Sequence, residues 1–168
     1  MKTWAARHRE ALAPVAAAVV LGLIGVLGML LAVPWLFPSL GPSIAIQAAT
    51  PGLASSKPWN VAAGHLIGLG CGIAAVYLTG AAGTPGVTEA HALAGARVAA
   101  AVLAVLLSMS LQAVAKARHP PAEATTLLFA LGALKPELHT VLTVVGGVAL
   151  VTVLGEVARR LVEVADDR

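Results

Sequence analysis

The sequence predicts an all-α fold, a polytopic helix bundle built for a membrane, on three observations. Of 168 residues, 58% are hydrophobic and only 11% charged, against roughly 25% charged in soluble domains, and the mean hydropathy is +0.88. Residues 11–56, 58–88, 98–115 and 138–155 contain no Asp, Glu, Lys or Arg, and a soluble core could not absorb such runs. Four stretches, 14–33, 61–80, 93–115 and 138–158, approach the ~20 apolar residues that cross a hydrocarbon core. The length suits a single membrane domain over 1–168, since a bilayer supplies burial that a small soluble core must make for itself.

Residues 1–13 read as a cytoplasmic tail with Lys2, Arg7 and Arg9. The apolar run after them is longer than the h-region of a signal peptide and no small-residue cleavage site follows, so it is expected to stay as the first span. Two shorter apolar pieces remain, 40–54 and 120–134, each opened by proline: Gly41-Pro42-Ser43 and His119-Pro120-Pro121. At ~1.5 Å per residue neither makes a full crossing, and proline suits a first helical turn. Both read as half-helices, which at membrane depth must be buried in protein or line a cavity.

The order long span, proline-led short helix, long span then occurs twice, over 14–80 and 93–158, leaving 159–168 as a C-terminal tail. Pro42 and Pro121 stand 79 residues apart, Lys57-Pro58 and Lys135-Pro136 78 apart. Paired broken segments in two halves point to a transport site. If the short pieces dip and return, seven Lys and Arg share a side with the N-terminus against four opposite; if they cross, nine face two and the halves are inverted. The positive-inside rule favours crossing, the short lead-in before Pro120 favours dipping, and both arrangements put the two termini in the cytoplasm, in a bacterial inner membrane.

Gly64, Gly68 and Gly72 form a small-residue face for close helix packing, within the bundle or between protomers; a homo-oligomer is expected. Gly22, Gly25 and Gly28 invite the same explanation. The basic residues sit at the ends of apolar runs, which excludes a nucleic-acid stripe. Cys71 is the single cysteine, and the histidines at 8, 65, 91, 119 and 139 have no metal-ligand spacing. No metal or other cofactor is expected. No Ser nucleophile elbow and no base paired with a nucleophile is legible, so the chain reads as a non-enzyme.

The segment His119-Pro120-Pro121-Ala122-Glu123-Ala124-Thr125-Thr126 carries the sharpest signal. With Gly41-Pro42-Ser43-Ile44 and Pro58-Trp59-Asn60-Val61-Ala62-Ala63-Gly64-His65, it resembles the HPP family of small integral membrane proteins, over roughly residues 30–157. The resemblance implies a four-span membrane domain, and plant and cyanobacterial members are associated with nitrite transport. The chain departs from the family pattern at Pro42, Trp59 and Glu123, where a small residue, a basic residue and glycine are usual.

The residues themselves point to a compatible chemistry. A helix N-terminus leaves unpaired N–H groups and about half a positive charge, so two such ends turned inward would hold a small anion with few charged side chains. The first would offer Ser43 and Ile44 beside Gly41, the second Ala122 and Glu123, with His119 near the cap. Gln47, Asn60, His65, Thr125 and Thr126 are expected as polar lining. Glu123 has three readings: a helix cap paired with Lys116 or Arg118, a proton carrier moving with the substrate, or a cation ligand. The leading function is a transporter or channel for a small inorganic anion, nitrite-like, with lipid bilayer and anion as its partners and a proton as coupling ion. The rival is a non-transporting assembly or sensory subunit.

Overall fold

A computed structural model describes the backbone of residues 4–166 and the side chains of residues 11–164. Lys2 and Arg168, and the side chains of Arg7 and Arg9, which carry much of the orientation argument, lie outside that description. Among the described residues there are seven α-helices and no strand: α1 (Trp4–Leu31), α2 (Leu40–Ala49), α3 (Pro58–Leu78), the single turn α4 (Val87–Ala90), α5 (Gly95–Val114), α6 (Ala122–Ala130) and α7 (Leu138–Asp166). Helices α1, α3, α5 and α7 each contain a window long and apolar enough to cross a membrane. Their outward faces carry Met29, Leu30, Val102, Leu106, Val114, Val153 and Leu161, the surface an integral membrane protein shows to lipid.

Helix ends differ from the hydropathy boundaries where charge, which ends an apolar run, does not end a helix. Helix already begins at Trp4, because the Ala, Arg, Glu and Leu of residues 4–13 are good helix formers. At the other end α7 runs on to Asp166. There Glu156 binds Arg159 at 2.6 Å and Arg160 at 2.5 Å, and Glu163 binds Arg159 at 2.8 Å, the helical spacing at which opposite charges support each other.

The helices form two groups. In one, α1, α2 and α7 pack together; in the other, α3, α5 and α6; α3 against α7 joins them. After α1 the chain turns at Ala32, held left-handed at φ 53°, with Val33 N–H donating to the Gly28 carbonyl at 2.9 Å. It doubles back, so that Leu36 lies against Gly25 and Trp35 against Gly146. Phe37 then meets Gly147, Gln47 meets Gly155, and the Pro51 carbonyl accepts from Arg159. Residues 35–51 therefore run alongside α7 in its own direction, extended first and then helical. The segment 117–130 does the same along α3: Gly64 faces His119, Gly68 faces Ala122 and Thr126, and Gly72 faces Thr126 and Phe129.

The glycine face of α3 is thus consumed inside the chain. A Cβ at Gly72 would sit 2.6 Å from the Thr126 carbonyl oxygen, backbone that has little room to yield, whereas nothing lies within 4 Å of one at Gly70. Gly72→Leu should lower the thermal midpoint in detergent by the equivalent of about 1–3 kcal/mol, the usual cost of overpacking a fitted interface, and Gly70→Leu should leave it unchanged. Equal midpoints for the two variants would contradict this packing.

Candidate functional site

Both short helices start in the interior of the bundle, the first turn of α6 lying level with Gly68, the midpoint of α3, and they run away from each other, α2 with α7 and α6 with α3. Their first turns are linked side chain to side chain. The side chain of Ser39, the N-cap of α2, makes no capping bond to its own helix; its Oγ lies 2.7 Å from Thr125 Oγ1 on α6. Ser43 Oγ, one turn into α2, lies 2.9 Å from His119 Nε2 and 2.8 Å from His65 Nε2. His65 Nδ1 closes the circuit at 2.8 Å from Thr125 Oγ1. The two imidazoles meet edge to face, centroids 5.0 Å apart.

Ser39, Ser43, His65, His119 and Thr125 are all 0% exposed. Unpaired, such groups would each cost roughly 1–3 kcal/mol, so the cluster stands only because each completes another. Two further contacts anchor it. His119 Nδ1 lies 2.8 Å from the Ser55 carbonyl oxygen, and His119 N–H donates to Gln112 Oε1 at 3.0 Å. Gln112, on α5, turns its amide nitrogen to Ser108 Oγ at 2.9 Å and Glu123 Oε1 at 2.7 Å, while the Ser108 hydroxyl donates to the same carboxylate oxygen at 3.0 Å. Glu123 Oε2 has no partner. Beside it lies a cavity of about 380 Å³ lined by Met109, Gln112, Ala113, Arg118, Pro120 and Glu123.

Of the residues expected at an anion site, Ser43, His65, His119 and Thr125 come together. Thr126 is one step away, donating to Ser108 Oγ at 3.3 Å and to the Ala122 carbonyl at 3.2 Å. Asn60 serves the outer end, donating to the Arg118 carbonyl at 3.0 Å. Gln47 is completely buried against Gly155, and neither its amide nitrogen nor its oxygen has a partner. Ile44 belongs to the apolar core with Val20, Ile24, Leu40, Val61 and Val151, and a Cβ at Gly41 would meet only open space.

Three expectations change. The N–H groups of Ala122, Glu123 and Ala124 are not free: they donate to the carbonyls of His119, Pro120 and Pro121 at 2.9–3.1 Å, because the double proline sets up tight i to i−3 turns where α6 begins. Glu123 is held by Ser108 and Gln112 rather than by Lys116 or Arg118, both of which are exposed. A serine in contact with two imidazoles does exist, which spacing along the chain could not reveal, since Ser43, His65 and His119 are 22 and 76 residues apart. Ser39, Ser55, Ser108 and Gln112 were missed as site residues. The signal for two of them was present: Ser108 and Gln112 are polar, four apart and inside a charge-free run.

The profile of the HPP transmembrane region matches residues 4–166. This chain belongs to the HPP family. Comparison with curated proteins and with solved structures gave no match. Within this HPP chain, the three segments that carry the resemblance are the ones the fold gathers: residues 41–44 supply Ser43, residues 58–65 supply Asn60 and His65, and residues 119–126 supply His119, Glu123 and Thr125.

Gln112 ties α5 to both the His119 backbone and Glu123. Gln112→Leu keeps its bulk and strips an N–H and a carboxylate of a partner, so thermal unfolding in detergent should show a loss of about 2–5 kcal/mol, one or two buried hydrogen bonds broken from one side. A loss below about 0.5 kcal/mol would mean that the network contributes nothing there.

Proposed function

We propose that this HPP protein is a membrane transporter of a small inorganic anion of the nitrite type, and that the anion passes between the first turns of α2 and α6. The observation that supports this most is the placement of five buried hydrogen-bonding side chains where two helix N-termini meet inside the bundle. Each terminus carries a partial charge of about +0.5, and proteins of this size do not need a polar centre to be stable; apolar packing of the same volume is as good or better. A site with inward-facing positive ends and neutral donors favours an anion and, being sparsely charged, lets it leave.

The conformation described here is closed on this reading. The cluster is inaccessible and its donors are paired with one another, so an anion enters when α2 and α6 separate and Ser43, Thr125 and the first-turn N–H groups exchange internal partners for the guest. Gln47 supports such a movement: its orphan amide on Gly155 marks a contact between α2 and α7 that another packing would satisfy better.

The helix pairings support an inverted repeat. Exchanging α1 with α5, α2 with α6 and α3 with α7 maps every major packing contact onto another: α1 on α2 becomes α5 on α6, α2 on α7 becomes α6 on α3, and α3 on α7 maps onto itself. The broken segments then cross in opposite senses, both termini emerge on one side, and the Lys and Arg distribution of nine against two makes that side the cytoplasm. With the glycine face of α3 filled by α6, oligomerisation has to rest on other surfaces.

The complete internal pairing of the cluster favours the second reading, a membrane assembly subunit whose polar centre serves packing alone. Reconstituted liposomes separate the two. The transport reading expects uptake of nitrite above that of protein-free vesicles, reduced by about tenfold or more in Ser43→Ala, which removes a contact worth roughly 1–3 kcal/mol when buried. Uptake no faster than in empty vesicles, from protein that is folded and correctly inserted, would favour the assembly subunit.

A further inference from the structure

We propose that the Ser43-centred histidine pair is a binding site for a single proton, carried together with the anion; this rests on the transport reading above and places the coupling proton on the imidazoles rather than on Glu123. The Ser55 carbonyl can only accept, so Nδ1 of His119 carries a hydrogen and points it there. In the neutral ring Nε2 is then a bare acceptor. Ser43 Oγ has one hydrogen and three neighbours: the Ser39 carbonyl at 2.9 Å, His119 Nε2 at 2.9 Å and His65 Nε2 at 2.8 Å.

With no extra proton, the Ser43 hydroxyl turns to His119 Nε2, His65 donates its Nε2–H to Ser43, and the contact with the Ser39 carbonyl goes unmade. With one proton added at His119 Nε2, all three contacts are made at once: both rings donate to the two lone pairs of Ser43, and its hydroxyl swings to the Ser39 carbonyl. On the far side Ser39 donates to Thr125 and Thr125 to His65 Nδ1. Loading therefore needs one hydroxyl rotation and no movement of the backbone. A second proton is opposed, because it would put a second cation on a ring whose centroid lies 5.0 Å from the first and would force the Thr125 hydroxyl to give up its bond to His65 Nδ1 and turn elsewhere.

The groups packed around the pair leave that charge unpaired inside the protein. Helix α2 brings Ser39 and Ser43, the turn before α3 brings the Ser55 carbonyl, α5 brings Gln112, and α6 brings Thr125; among the described residues the carboxylate near them, Glu123, is linked to His119 through Gln112. Both helix N-termini also present positive ends, so the protonated pair is disfavoured alone and relieved by an anion. Proton and anion then strengthen each other's binding, as coupled equilibria require, and an inward proton gradient drives anion uptake.

The test uses the full chain with His8, His91 and His139 replaced by Gln, so that only the buried pair reports, labelled with ¹⁵N-histidine and followed by NMR in bilayers across pH, with and without sodium nitrite. Expected are an Nδ1–H tautomer for His119 at high pH, uptake of one proton by the pair as pH falls, and a loading midpoint displaced by nitrite to a proton activity about tenfold lower or more. Uptake of no proton while the protein stays folded, or of two protons, overturns the proposal without any appeal to transport. Loading of one proton that nitrite leaves unchanged overturns the coupling. Nitrite uptake into liposomes is measured on the same protein: uptake without a response to the proton gradient leaves transport standing and defeats the proposal, whereas one-proton loading with no uptake defeats the transport reading itself.

Discussion

Two helices begin in the interior of this bundle, and the ends of helices must be satisfied by something. In a hydrocarbon environment water cannot do it, and the chain uses four devices. Prolines at the starts of α2 and α6 remove donors that would need partners. Tight turns at residues 119–124 pair the N–H groups that remain. Serine, threonine and histidine side chains bridge one helix start to the other, and glycines on α3 and α7 let the short helices press close enough for those bridges to be short. Remove any of these and a polar group is left bare in an apolar interior.

That constraint explains why the chemistry of the protein is concentrated. Away from the cluster, the core is mostly alanine, valine, leucine and isoleucine with Phe129 among them, and the buried Arg97 and Arg159 spend their charge on backbone carbonyls and, for Arg159, on neighbouring carboxylates. At the cluster, neutral groups with switchable donors are held by a frame of long helices. A serine between two imidazoles can reverse its hydrogen bonds by rotating one torsion, so the site can change its proton content without changing its shape. The same geometry would serve a nucleophile, but Ser43 has no exposed surface, which suits proton holding better than attack on a substrate.

The sequence carried more of the architecture than of the site. Charge-free runs located four spanning helices, and prolines at 42, 58, 121 and 136 located the two short ones, because hydropathy and the missing proline N–H act locally. Whether the short segments dip or run the length of the bundle was not legible, since it depends on Trp35, Phe37 and Gln47 finding glycines on α7, more than 100 residues away. His65 was legible as a polar residue inside an apolar span, and His119 and Ser43 as polar residues at the starts of the short helices, yet nothing in their spacing said that one hydroxyl would serve two rings. A hydroxyl in a membrane helix more often bonds its own backbone; here the structure turns both Ser108 and Gln112 toward Glu123. The donors expected at Ala122 and Glu123 failed for a different reason, the double proline folding the chain back on them.

The proposed function requires the start of α2 to touch the start of α6, and that contact can be measured directly in the membrane. With Cys71 replaced by Ala, Ser39→Cys and Thr125→Cys put two thiols where hydroxyl oxygens now lie 2.7 Å apart, although 86 residues separate them in sequence. Mild oxidation followed by proteolysis and mass spectrometry should recover the two peptides joined by a disulfide in most molecules. Recovery of the peptides unlinked, with both thiols free after oxidation, would mean that the two helix starts do not meet and would contradict the account.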